Sequence, residues 1–131
     1  MINRKNILCS AILVAAVASS AVAQQNPAPP SGPFKAVHLM TMTAEQEATY
    51  KAWVKDASRV FTKLGCAKCA YHLYKAAGGG KYNYMMESDW PGGDVYAKLH
   101  KSDEYKALGK KYASLSEVDK TQFYDRFVAL K

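Results

Sequence analysis

The stretch ESDWPGGDVYAKLHKSDEYKALGKKY, residues 87–112, decides the fold because it changes secondary structure within a short span. Its first residues end an apolar strand at Trp90, and the Pro-Gly-Gly sequence at 91–93 breaks that strand. Asp94 is suited to cap a helix that begins after the break. Ser102 offers a second cap within that helix, which predicts a bend between two helical halves.

Upstream of this stretch the sequence predicts a strand followed by a helix. Residues 34–42, FKAVHLMTM, are rich in strand-forming residues, and Thr43 with Gln46 forms a capping-box pattern directly after them. Apolar side chains then recur at steps of three and four as far as Gly65, which predicts a helix of about twenty residues. The apolar residues of this face are Tyr50, Trp53, Val54, Ala57, Val60, Phe61 and Leu64.

Three further strands complete the predicted order. Residues 70–76 and 81–90 form a hairpin around the glycines at 78–80, and residues 121–130 form the last strand. The order β-α-β-β-α-β is that of the ferredoxin-like arrangement, an α+β fold. We therefore expect a four-stranded antiparallel sheet with two helices on one face.

The pattern after residue 87 resembles that of the dimeric α/β-barrel superfamily, and in particular of antibiotic-biosynthesis-monooxygenase-like domains. The matching residues are Trp90, Val95, Tyr96, Leu99, Ser102, Asp103, Tyr105 and Leu108. The resemblance covers residues 34–131. It implies a homodimer whose two sheets close face to face and leave a ligand cavity against each sheet.

The same resemblance bears on activity. Haem-degrading members of the superfamily carry an Asn, a Trp and a His, and alignment on Trp90 puts His38, Leu99 and Gly109 near those positions. Haem degradation is therefore not carried over to this chain. Quinone-forming monooxygenase members act on electron-rich aromatic substrates without a metal or flavin, which leaves the question of an enzyme open here.

The N-terminus predicts export. Residues 1–23 combine a basic start at Arg4 and Lys5, a short apolar core and the small-residue pattern Ala-Val-Ala, as in a secretory signal peptide. Residues 24–33 then read as a disordered, Pro-rich lead before a single domain at residues 34–131. We expect a periplasmic or secreted protein with no stable membrane anchor after cleavage.

The charge of the chain argues against a nucleic-acid partner. Eighteen Lys and Arg residues against eleven Asp and Glu residues give a net charge of +7, but the basic residues are mostly lysines spread along the chain. A nucleic-acid interface usually clusters them in a stripe, often with arginine. We therefore expect a small-molecule ligand.

Strand alternation predicts which side chains face the cavity. Val37 and Leu39 are apolar, as are Phe123, Phe127 and Ala129 in the last strand, so these are assigned to the helices. The opposite faces then supply the candidate chemical groups His38, His72 and Arg126, since histidine serves as a base and arginine binds anionic or carbonyl groups. The remaining expected cavity residues are Met40, Tyr74, Asn83, Met85, Glu87 and Tyr124.

Two alternatives remain beside the binding protein. His38 and His72, with Glu87, have the residue types of a metal or haem site, although no cofactor or metal is expected. Cys66 and Cys69 have the spacing of a redox dithiol. Because they follow a helix C-terminus, where the dipole disfavours a thiolate, a local disulfide is the expected state in an oxidising compartment.

Overall fold

The sheet and helices follow the predicted order. A computed structural model describes residues 28–125, so the predicted signal peptide, residues 24–27 of the lead, Arg126 and the end of the last predicted strand lie outside the described residues. The strands are β1 (Phe34–Thr41), β2 (His72–Lys75), β3 (Tyr84–Trp90) and β4 (Asp119–Asp125). The helices are α1 (Ala44–Lys63), α2 (Gly93–His100) and α3 (Asp103–Lys111), with 3₁₀ turns at Ala67–Cys69 and Ala113–Glu117.

The four strands form one antiparallel sheet in the order β2-β3-β1-β4. β1 is central, and His38 pairs with Met86 on one side and with Gln122 on the other. The α+β fold class is confirmed, and the strand order is that of a ferredoxin-like sheet. The predicted second helix is present as α2 and α3, which separate where Ser102 accepts a hydrogen bond from the backbone of Tyr105 at 3.2 Å.

Helix α1 begins at the predicted capping box. The Gln46 amide nitrogen of the backbone donates to the Thr43 hydroxyl at 3.2 Å, and the Thr43 backbone donates to the Gln46 side chain at 2.9 Å. The chain leaves the helix through Gly65, whose φ of 93° is in the region that favours glycine. Local sequence signals therefore fix both ends of this helix.

Helix α2 begins differently from the prediction, because Gly92 and not Asp94 is its N-cap. The lead explains why glycine is needed here. The backbone nitrogen of Gly93 donates to the carbonyl of Pro30 at 2.8 Å, and a Cβ atom on Gly92 would lie 2.6 Å from the carbonyl oxygen of Ser31. Residues 29–31 of the predicted lead thus pack against the start of α2.

The main core lies between the helices and one face of the sheet. Its largest fully buried side chains include Phe61 from α1 and Trp90, Met40 and Met86 from the sheet. The opposite face of the sheet has no helix of residues 28–125 packed on it and is called the open face below. No helix in the described part of the chain has the length and apolarity needed to cross a membrane.

Candidate functional site

The face assigned to β1 from the sequence is wrong. Phe34, Ala36 and Met40 belong to the core under the helices, and His38 shares their side of the strand. Val37 and Leu39 instead line a shallow hollow on the open face. Alternation failed here because β1 is the central strand and carries apolar residues on both faces, so hydrophobicity alone did not distinguish them.

The assignment of β4 is also wrong, because this edge strand carries large aromatic residues on both faces. Phe123, expected under the helices, lines the hollow on the open face. Tyr124, expected in the cavity of the open face, packs edge-on against Phe34 at a centroid distance of 5.4 Å. Its hydroxyl lies 3.0 Å from that of Tyr96 on α2. Arg126 lies outside the described residues.

Strands β2 and β3 carry the polar residues of the open face. His72 is exposed and pairs with Glu87 across the two strands, and the Tyr74 hydroxyl donates to Glu87 at 3.2 Å. Met85 lines the hollow beside Glu87. The Asn83 side chain instead forms two hydrogen bonds with the backbone of Met42. It accepts from the Met42 nitrogen and donates to the Met42 carbonyl.

These positions separate the candidate metal ligands. His38 lies under the helices, while His72 and Glu87 lie on the open face, so the three do not converge within one chain. Within residues 28–125, no group of three or more His, Cys, Asp or Glu side chains is arranged to hold a metal ion. The hypothesis of a two-His, one-carboxylate site is therefore wrong for these residues.

His38 is the most unusual polar residue of the core. It is 9% exposed, and neither ring nitrogen has a hydrogen-bond partner among the residues that the structure describes. Gln122 lies opposite on β4, but its amide nitrogen donates to the hydroxyls of Tyr96 and Tyr124. Burial lowers the pKa of His38 to about 4, with a smaller contribution in the same direction from the charge of Lys120 and a weaker opposing one from the nearby Gln122 side chain. The imidazole is therefore neutral at neutral pH.

A second histidine, His100, was not among the residues predicted from the sequence, and both of its ring nitrogens form hydrogen bonds. The Nδ1 atom of His100 lies 2.8 Å from the backbone carbonyl of Tyr96, which only accepts, so Nδ1 carries the proton. Its Nε2 atom must then accept, and the Tyr71 hydroxyl donates to it at 3.0 Å. Burial lowers the pKa of His100 and raises that of Tyr71, which keeps both groups neutral.

An aromatic cleft opens on the helix side of the sheet. It has a volume of about 230 Å³ and lies between α1, the end of α3, the second 3₁₀ turn and the start of β4. Trp53 in its wall stacks on Tyr71 at a centroid distance of 5.1 Å, and the Tyr71 ring lies 6.5 Å from that of His38. Tyr71 therefore lies behind Trp53 of the cleft wall, and His38 lies behind Tyr71 without lining the cleft itself. The lining residues are Tyr50, Trp53, Tyr105, Gly109, Tyr112, Ala113, Leu115, Ser116 and Lys120.

Comparison with known proteins gives a structural likeness. No family model matches the sequence, and no curated protein matches it. A protein of Caulobacter crescentus assigned to the antibiotic biosynthesis monooxygenases superposes with a TM-score of 0.58 at 16% identity, over 76% of this chain and 92% of its own. An ethyl tert-butyl ether D family protein of Bacillus halodurans gives 0.52 at 15% identity, over 73% and 99%. A DABB family protein of Mesorhizobium loti with a ferredoxin-like fold gives 0.52 at 12%, over 76% and 99%.

The chain has a ferredoxin-like fold. In this fold the aromatic cleft lies between the helices and the sheet, and the hollow of the open face lies on the other side. The hollow holds about 340 Å³ and is lined by Lys35, Val37, Leu39, Met85, Glu87 and Phe123. The two sides therefore offer two different kinds of surface.

The cysteine pair lies away from both surfaces of the ferredoxin-like domain. The sulfur atoms of Cys66 and Cys69 are at bonding distance, and the Cα atoms are 5.3 Å apart. Cys69 is fully buried and Cys66 is 7% exposed, in the turn between α1 and β2. A buried disulfide within this single turn presents little sulfur to a thiol partner.

Proposed function

We propose that the protein is an exported, dimeric small-molecule-binding protein that holds an aromatic or apolar ligand in the aromatic cleft. The observation that carries the proposal is the aromatic cleft, whose wall is backed by Tyr71 and, behind Tyr71, by His38, a buried imidazole without a partner in the described chain. A buried polar group left unpaired costs about 1–3 kcal/mol. Such groups occur where function requires them.

The cleft favours a planar ligand. Trp53, Tyr105 and Tyr112 present aromatic rings to it, and rings of this kind bind flat apolar molecules by stacking and edge contacts. Ligand sites are typically apolar clefts with a few placed polar groups. The cleft has that composition, with Lys120 and the tyrosine hydroxyls as its polar groups, and neither it nor the hollow on the open face has a buried, unpaired polar group among its own lining residues.

An enzymatic form of this function would be a cofactor-independent oxidation of an electron-rich aromatic, as in monooxygenases of this fold. His38 is neutral, so it can accept the proton of a phenolic hydroxyl that reaches it past Tyr71, which makes the bound aromatic easier to oxidise. Oxygen uptake with 1,4-dihydroxynaphthalene tests this form. We expect uptake above the spontaneous rate that falls at least tenfold in His38→Phe, and equal rates would restrict the protein to binding.

The open face supports the dimer. Val37 is only 5% exposed and lies beside Leu39, Met85 and Phe123 in an apolar hollow. A second copy of the sheet would cover this hollow, while Lys35 and Glu87 remain paired at its rim at 3.3 Å. Sedimentation velocity of the mature protein should give a dimer, and Val37→Lys with Leu39→Lys should give a monomer.

Binding is tested with 2-naphthamide, a neutral planar probe, by titration calorimetry. We expect saturable binding to one site per chain. Gly109→Leu should abolish it, because a side chain at this lining position meets no atom within 4 Å and so projects into free space. Gly79→Leu, which is equally unobstructed but lies in the β2–β3 loop, is the matched control and should bind normally. Unchanged binding in Gly109→Leu would place the ligand elsewhere.

The two alternative functions have weaker support. His38 and His72 lie on opposite faces of the sheet and so cannot share one haem or metal within one chain. A thiol oxidoreductase needs an accessible, activated thiolate, and Cys66 and Cys69 are buried in a disulfide at a helix C-terminus.

A further inference from the structure

We propose that the ligand of the aromatic cleft is an aromatic anion, whose carboxylate or phenolate pairs with Lys120. This inference rests on the proposed function, since it names the class of molecule that the cleft binds. It is carried by the charges that line and surround the cleft.

Lys120 is the charged side chain of the cleft. Of the lining residues that the structure describes, the others are aromatic, apolar, small or hydroxylated, and none is acidic. Lys120 is exposed and forms no ion pair with an acidic side chain of residues 28–125. An ammonium group beside stacked aromatic rings thus has its charge available to a ligand.

One acid next to the cleft wall, Asp56, is already neutralised. The Tyr112 hydroxyl donates to Asp56 at 2.7 Å. Asp56 in turn pairs with Lys111 at 2.8 Å and with Arg59 at 3.6 Å. Two cations therefore balance this carboxylate, and its charge does not cancel that of Lys120 for a molecule in the cleft.

The positive charge of Lys120 also affects His38 in the core. Lys120 lies on β4 opposite Met40, one pleat from the pair formed by His38 and Gln122. Its positive charge disfavours protonation of His38, so the ammonium group is close enough to the imidazole to interact with it electrostatically. A planar ligand in the cleft can therefore direct an anionic group towards Lys120 while its ring contacts Trp53 and Tyr105.

The test compares two probes of the same shape, 2-naphthoate and 2-naphthamide, by titration calorimetry at pH 7. We expect naphthoate to bind at least tenfold more tightly, and the preference to shrink as salt is raised because the pair is partly exposed. Lys120→Met should remove the preference while naphthamide binding remains. Lys110→Met removes a lysine of α3 that does not line the cleft and should keep the preference.

The outcomes separate this inference from the function on which it rests. Equal binding of the two probes to the wild-type protein overturns the anion while leaving the ligand site in place. A preference that survives in Lys120→Met overturns the assignment to Lys120. Binding of neither probe overturns the proposed function and this inference together.

Discussion

His38 and His72 lie on opposite faces of the same four-stranded sheet. His38 is buried under the helices beside the aromatic cleft, and His72 is exposed on the open face opposite Glu87. The two histidines therefore serve different surfaces, one suited to a ligand and the other to a partner sheet.

The burial of His38 should make stability depend on pH. Its pKa in the folded protein is about 4, against about 6.5 when unfolded, so the unfolded chain binds more protons between these values. The stability of the wild-type protein should thus be complete above about pH 6.5 and fall as the pH drops towards 4, by up to about 3 kcal/mol.

His38→Phe removes this titration and is the reference for it. Urea unfolding of both proteins at pH 7 and pH 4.5 measures the difference, and His100 contributes equally to both. The free energy of unfolding should fall more steeply in the wild-type protein than in the variant. Parallel losses would show that His38 is solvated or hydrogen-bonded in the folded state.

The hydrogen bond from Tyr71 to His100 should be worth more than a surface hydrogen bond. Tyr71→Phe leaves the buried Nε2 atom of His100 without this donor, which should cost about 1–3 kcal/mol of unfolding free energy. Tyr74→Phe removes a hydroxyl that donates to Glu87 at an exposed position and should cost less than about 1 kcal/mol. Equal losses in urea unfolding would contradict the buried network.

Alanine substitution should have opposite effects on stability at Gly93, where the lead contacts α2, and at Gly109, where nothing lies close. A Cβ atom on Gly93 would lie 2.8 Å from the backbone oxygen of Pro30, so Gly93→Ala should lower stability by about 1–3 kcal/mol. Gly109 lies in α3 with nothing within 4 Å, so Gly109→Ala should raise it by about 0.5–1 kcal/mol. Thermal unfolding followed by circular dichroism compares them, and a neutral Gly93→Ala would mean that the lead is detached in solution.

The disulfide should act on stability alone. It closes a loop of only a few residues, so Cys66→Ser with Cys69→Ser should remain folded and lose no more than about 3 kcal/mol. Binding of 2-naphthamide should be unchanged, because neither cysteine lines the cleft. A folded double variant that has lost its function would restore the thiol-redox hypothesis.

Local signals predicted the elements well, and the reason is visible in single residues. The side chains of Thr43 and Gln46 each accept a hydrogen bond from the other's backbone at the start of α1, and Ser102 caps α3. Three or four neighbouring residues are therefore enough to predict where each helix begins. The resemblance in residues 87–112 also predicted the ferredoxin-like fold.

The site was harder to predict, because the information it needs is not local. Val37 and His38 differ in polarity, yet the apolar residue faces outward and the histidine inward, since the open face is apolar as well. The pair of Tyr71 and His100 joins residues 29 positions apart on two elements. The stacking of Tyr96 on His100, four residues apart on α2, was the one local signal of that network.

The most direct test of the account follows the imidazoles of the three histidines by ¹H–¹³C NMR while 2-naphthoate is added. The Cε1 signals are assigned with His38→Phe, His72→Gln and His100→Gln. We predict that the signal of His38 shifts with saturation while that of His72 does not move. A saturable shift of His72 with an unchanged His38 would place the ligand on the open face and contradict the account.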